Sequence, residues 1–177
     1  MTPAQDEAGA DDGRVRARIT RESLDDLGQF DDFGSEADGA VLVFQGRVRE
    51  TNRGRSVSSL TYEAYGEMAE RELEAICHEA LGQFEVGSVS AAHRVGHLGL
   101  REVSVVIAVA AAHRDACYEA SRWIIETVKV RLPVWKHEHY ADGGSHWVGA
   151  RQTESGTAAP ASGGVNGDHV GRDYPGE

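Results

Sequence analysis

The stretch that most restricts the fold runs from Val103 to Lys136. It opens with VSVVIAVAAA (103–112), an almost wholly apolar run. A run of that kind is expected to form a central strand. HRDACYEASRWIIETVKVRLPVWK (113–136) follows without a linker. Within it Cys117, Ala120, Ile124, Val128 and Leu132 fall on one helical stripe, which Ile125 widens. Arg114, Glu119, Arg122, Glu126 and Lys129 face outward. Leu132 precedes Pro133 and is pushed toward extended geometry, which ends the helix. VWKHEHY (134–140) then alternates as a strand. Lys129 and Lys136 therefore flank a helix-to-strand corner, with Arg131 between them.

Cations gathered at one corner matter because the chain as a whole is acidic. Its net charge is −11 over 177 residues and its pI is about 5.1. That balance argues against nucleic-acid binding driven by overall charge, so an anionic substrate must be drawn in by a local cluster. The length suits one domain with a real core. Cys77 and Cys117 both lie on apolar stripes, as expected of buried thiols in a reducing compartment. No apolar run approaches a membrane span, and MTPAQDEAGADDG lacks the order of a signal peptide. The expected location is the cytoplasm.

The rest of the chain reads as short elements. Residues 1–13 and 152–177 have the composition of disordered tails around one domain, 14–151. VRARIT (15–20) alternates as a strand, and Ser23 reads as the N-cap of a short helix. AVLVF (40–44) suits a strand buried on both faces that leaves the core through Gln45–Arg49. ETNRGR (50–55) is a hairpin-like loop before the alternating VSSLTYEAY (57–65). Residues 66–84 give the cleanest helix, with Leu73, Ile76, Cys77, Ala80, Leu81 and Phe84 on one face. A strand over 88–95, a turn at 96–99 and a last strand at 146–151 complete the pattern. The expected class is α+β, a mainly antiparallel sheet covered by two long amphipathic helices.

Among residues suited to chemistry, Lys129 has an ordinary explanation. It lies in a last helical turn with Glu126 three positions before it. Lys136 stands out more, because it follows a proline corner among partly apolar neighbours that would lower its basicity. Arg49 leaves a core strand at its exit. His113 and Arg114 open a helix, where a cation opposes the dipole unless an anion binds, although Arg114 could equally pair with Glu119. His137, His139 and His146 could suggest a metal, but no third ligand stands at diagnostic spacing and no cysteine pair is near. No metal or cofactor is expected. The chain has no phosphate-binding glycine loop, GxSxG elbow or HExxH motif. The residues alone describe a possible anion pocket without naming a reaction.

Four stretches nonetheless form a recognisable set: GAVLVFQGRVR (39–49), AAHRVGHL (91–98), AAHRDACYEA (111–120) and VKVRLPVWKHE (128–138), closed by WVGAR (147–151). Over residues 15–151 the chain resembles the MoaE family, the large catalytic subunit of molybdopterin synthase. The resemblance implies the family's α/β hammerhead fold. It also implies a sulfurtransferase that installs the dithiolene of molybdopterin on cyclic pyranopterin monophosphate. Sulfur would come from the C-terminal Gly-Gly thiocarboxylate of a small ubiquitin-like, MoaD-like subunit. Two large subunits would form a homodimer within a heterotetramer. Carried over by position, Lys129 and Lys136 match the family's catalytic lysines. Arg49, His113 and Arg114 match substrate-pocket residues, and Arg151 an arginine that reaches the neighbouring protomer's pocket. Val130, Leu132 and Val134 depart mildly from the family pattern. The alternative is a noncatalytic module that binds a ubiquitin-like tail.

Overall fold

The computed structural model describes residues 13–26 and 28–148. Apart from Gly13, both expected tails lie outside these residues, and so does Arg151. Nine strands and two α-helices follow in the order β1 (Val15–Thr20), β2 (Ala40–Arg47), β3 (Thr51–Asn52), β4 (Arg55–Ala64), α1 (Gly66–Gln83), β5 (Ser88–Arg94), β6 (Gly96–Gly99), β7 (Val103–Ala111), α2 (Arg114–Arg131), β8 (Val134–Tyr140) and β9 (Ser145–Val148). The class is α+β, and every strand pair but β1–β5 is antiparallel.

The strands divide into two sheets. The first has the order β1-β5-β7-β2, and the second runs β3-β4-β8-β9 with β6 also paired to β4. As expected, β7 is central, and it is buried along its whole length. The two faces of β7 have different covers. Val105, Ile107, Val109 and Ala111 meet Leu73, Ile76, Cys77 and Ala80 of α1 and Cys117, Ala120, Ile124 and Val128 of α2. Burying each large aliphatic side chain here contributes about 1.5–3 kcal/mol. The opposite face carries Val106, Ala108 and Ala110, packed against Leu24, Phe30 and Phe33.

That second cover corrects the expected helix after Ser23. The Ser23 hydroxyl donates to Asp25 Oδ2 and accepts from the Asp25 N–H, a local turn rather than a helix cap. The described residues there hold only a 3-10 turn, Gly28–Phe30. Leu24, fully buried, anchors the segment to the sheet.

Strand β2 also differs from expectation. It pairs only with β7 and forms the sheet edge, leaving Val41 47% exposed instead of buried. The hairpin at Arg53-Gly54 is as tight as its sequence suggested. Both residues have positive φ (48° and 76°), as a two-residue type I′ turn requires. The expected turn at 96–99 is strand β6, paired with Ser59–Tyr62. Gly96, at φ 96°, turns the chain out of β5 so that one run of backbone serves both sheets.

Helix α2 places Lys129 and Arg131 in its last turn, where the dipole favours cations. Leu132 is extended (φ −66°, ψ 123°), as the following proline demands, and the chain enters β8 at once. The corner therefore lies at the seam between the two sheets.

Candidate active site at the sheet seam

A cleft of about 380 Å³ opens at this seam. Ile125, Val128 and Lys129 of α2, Val134 and Lys136 of β8, and Phe44, Gly46 and Arg47 of β2 line its walls. Tyr62, His93, Ser104 and Val105 line the remainder. A Cβ on Gly46 would stand 2.6 Å from a Val105 methyl, so only glycine lets β2 come this close to β7. Both lysines singled out from the sequence thus face one cavity.

Their surroundings differ. Lys129 is exposed and makes no ion pair among the described residues, so the expected pairing with Glu126 is absent. The Lys136 Nζ lies 2.7 Å from Glu138 Oε1. Beside the partly apolar neighbours expected from its sequence context, it has a carboxylate as its direct partner. Glu138 is only 1% exposed and accepts two further hydrogen bonds, from Asn52 Nδ2 and the Tyr140 hydroxyl, both at 2.7 Å. Burial alone would raise its carboxyl, but the bonds from Lys136, Asn52 and Tyr140 outweigh that and hold it at about 2. Burial and the hydrogen bond to Glu138 both raise the Tyr140 phenol, the bond being the larger cause.

Arg49 joins the same network. Its Nη2 donates to Asn52 Oδ1 at 3.2 Å, so Arg49, Asn52, Glu138 and Lys136 form one continuous chain of contacts. A second cleft, of about 410 Å³, lies beside this chain and shares Lys136 with the first. Arg53, Arg55, Tyr140 and His146 also line it. The Arg55 guanidinium sits 3.5 Å above the Tyr140 ring and pairs with Asp142 at 2.9 Å.

Arg131 is not part of the cleft. It reaches across to α1 and binds Glu72 at 2.7 Å and Glu79 at 2.7 and 2.8 Å. The corner has two lysines facing the cavity and one arginine clamping the helices. His113 and Arg114 are also elsewhere. His113 is the exposed N-cap of α2, and Arg114 is 80% exposed with its guanidinium 3.9 Å from Asp115, not paired to Glu119. Arg114 and Lys129 are fifteen helical steps apart, about 22 Å at the α-helical rise. One chain does not bring them together.

The late histidines also separate. His137 and His139 share a face with His97, ring centroids 4.6 and 5.9 Å apart, and Trp147 stacks on His137 at 4.4 Å. His146 pairs across from Glu138 and lines the second cleft. Among the described residues no group of three His, Cys, Asp or Glu is arranged to hold a metal. No helix among them is long and apolar enough to cross a membrane.

His93 was not singled out from the sequence as a site residue. It is 7% exposed at the cleft and packs edge-on against Tyr62, with centroids 5.0 Å apart. Its Nδ1 lies 3.0 Å from the Arg94 carbonyl oxygen. A carbonyl only accepts, so Nδ1 carries the proton and Nε2 is left as an acceptor. Burial pushes the imidazole down to about 4, partly offset by that bond. The signal in the sequence was its inward register in an alternating strand, which reads equally well as core.

Comparisons with known proteins point to one family. The MoaE protein family model matches residues 19–131, a span that includes Lys129 and stops before Lys136. The molybdopterin synthase catalytic subunit of Pyrococcus abyssi is 43% identical over 114 residues, 64% of this chain and 76% of that one. The corresponding subunit of Halalkalibacterium halodurans is 45% identical over 111 residues, 63% of this chain and 70% of that one. The crystal structure of molybdopterin synthase from Staphylococcus aureus superposes with a TM-score of 0.69 at 38% identity, covering 75% of this chain and 96% of its own. The fold, the family model and the relatives agree: the chain belongs to the MoaE family.

Proposed function

We propose that this chain is the catalytic subunit of a molybdopterin synthase, and that the Lys129–Lys136 cleft is where sulfur is transferred. The donor is the C-terminal thiocarboxylate of a small ubiquitin-like subunit, and the acceptor is cyclic pyranopterin monophosphate. The observation that carries the reading is the convergence of Lys129 and Lys136, from a helix end and a strand start, on one partly apolar cavity of an acidic protein. Donor and acceptor are both anions and repel each other. Positioned cations in a half-desolvated cleft offset that repulsion and hold the reacting groups together.

The two lysines take different parts. Glu138 fixes Lys136, which therefore serves as the immobile cation between the two clefts. Lys129 has no ion pair among the described residues and a flexible stem, so it follows the moving charge and handles the proton. Arg49 acts through Asn52 and Glu138 on Lys136.

His113 and Arg114 serve a cleft on a second copy of the chain. The length of α2 supports this, because it holds them about 22 Å from the Lys129 of their own chain. In a homodimer the helix start of one protomer would complete the site of the other.

The test is reconstitution of the purified chain with thiocarboxylated small subunit and pterin precursor, reading the dithiolene product. Turnover is expected. Tight binding of the small subunit without product would instead make the chain a noncatalytic docking module.

A further inference from the structure

We infer that His93 determines substrate specificity, its Nε2 accepting a hydrogen bond from a ring N–H of the heterocycle bound in the Lys129–Lys136 cleft. The inference rests on the reading that this cleft holds a pterin. It adds a residue that neither the lysine pattern nor the family match assigns.

The cleft is rich in donors. Lys129, Lys136 and Arg47 can only donate, which suits phosphate and thiocarboxylate oxygens. The Tyr62 hydroxyl is engaged with Ser104, and Ser104 with the Gly46 carbonyl at 3.1 Å. A fused nitrogen heterocycle brings N–H donors of its own, and burying one without an acceptor costs the full desolvation of that group. His93 adds a ring-nitrogen acceptor to the cleft. Its ring is held from two sides, by the Arg94 carbonyl at Nδ1 and by the edge of Tyr62. It makes no other hydrogen bond among the described residues. The tautomer is set by the protein, so Nε2 is an acceptor before substrate arrives. A site built this way rejects a ligand that lacks the matching donor far more strongly than an apolar pocket would.

The chemistry of an N–H donor is shared by the pterin ring and by backbone amides of a threaded peptide tail. We commit to the ring, because His93 is nearly buried at the cleft whereas the lysines stand in more open positions. The experiment separates the two. Calorimetric titrations measure precursor binding and small-subunit binding independently for wild type, His93→Phe and His93→Gln, with thermal melts to confirm folding. His93→Phe should lose about tenfold or more in precursor affinity, with KM rising more than kcat falls, and keep small-subunit affinity within about twofold. His93→Gln, whose amide oxygen can reach the Nε2 position, should recover most of the loss. A precursor analogue methylated at the ring nitrogen should bind wild type weakly and suffer no further loss with His93→Phe.

Equal precursor affinity in wild type and His93→Phe would overturn the assignment. So would a loss confined to small-subunit binding, or additive losses from the analogue and the variant. Should His93→Phe fail to fold, His93→Gln and the analogue on wild type decide it alone. Failure of wild type to bind precursor at all would sink the reading of the cleft itself, and the assignment with it.

Discussion

The Lys136 ammonium lies 2.7 Å from the Glu138 carboxylate, two residues along the same strand face, and that carboxylate is only 1% exposed. Asn52 and Tyr140 also donate to it, and Asn52 connects it to Arg49. Lys136 is thus held by a carboxylate that is itself held by Asn52 of β3 and by Tyr140 of its own strand. Site geometry fixed by such supporting contacts is what precise positioning of a reacting group requires.

Glu138→Gln keeps the volume but removes the charge that fixes Lys136. We expect catalytic turnover to fall by about 10- to 100-fold, since small misplacements of a positioned group are costly. Binding of the small subunit should change little. The measurement is kcat in the reconstituted assay alongside small-subunit affinity, and unchanged kcat would remove Glu138 from the account.

Stability should fall with acid in two windows. Burial lowers His93 from 6.5 to about 4. Its neutral form is favoured in the folded chain, so that contribution is complete above pH 6.5 and is lost as pH falls through 4. Glu138 is lowered from 4.5 to about 2, so its contribution is complete above pH 4.5 and is lost toward pH 2. Urea midpoints across pH 3–8 should show the first loss in wild type and a flatter profile over pH 4–6.5 in His93→Phe. An unaltered profile in that variant would contradict the assignment.

Arg131→Ala should separate structure from chemistry. Arg131 ties α2 to Glu72 and Glu79, and all three side chains are about a third exposed, at 37%, 31% and 40%. Solvent screening limits the loss to about 1 kcal/mol. Denaturant melts should detect that decrease while turnover stays at wild-type level. A collapse of turnover would return Arg131 to the site.

Cross-protomer completion predicts complementation. Neither Lys136→Ala nor Arg114→Ala alone should turn over appreciably. Co-assembled in equal amounts, half of the dimers are mixed, and one of their two sites has both groups intact. Activity should recover to about one quarter of wild type. No recovery in verified mixed dimers would mean that Arg114 serves its own chain or none.

Much of this molecule was legible in its sequence, and the exceptions have physical causes. Strand β7 and helices α1 and α2 were plain because burial imposes one period over many residues. Strand β6 was missed because GHLG carries turn residues, and only pairing with β4 makes it a strand. The cover of Leu24, Phe30 and Phe33 was misread as beginning with a helix, since a serine followed by aspartates suits an N-cap and a local turn equally. In the candidate site, Lys136 stood out by its position, and Lys129 only through the family pattern. Glu138 looked like one more polar residue of an alternating strand, because its burial depends on Asn52, 86 residues away in sequence. Arg131 looked like a member of the cation cluster until its partners on α1 were seen. His113 and Arg114 fit the pattern in sequence, yet a rigid helix carries them away from the lysines.

The most direct test of the central claim is product formation by Lys129→Ala and Lys136→Ala in the reconstituted system. Each is assayed with saturating precursor and thiocarboxylated small subunit, after thermal melts confirm the fold. Both variants should lose molybdopterin formation by about two orders of magnitude or more, as expected when a charge-stabilising or proton-transferring group is removed. Full activity in both would contradict the claim that this cleft is where sulfur is transferred.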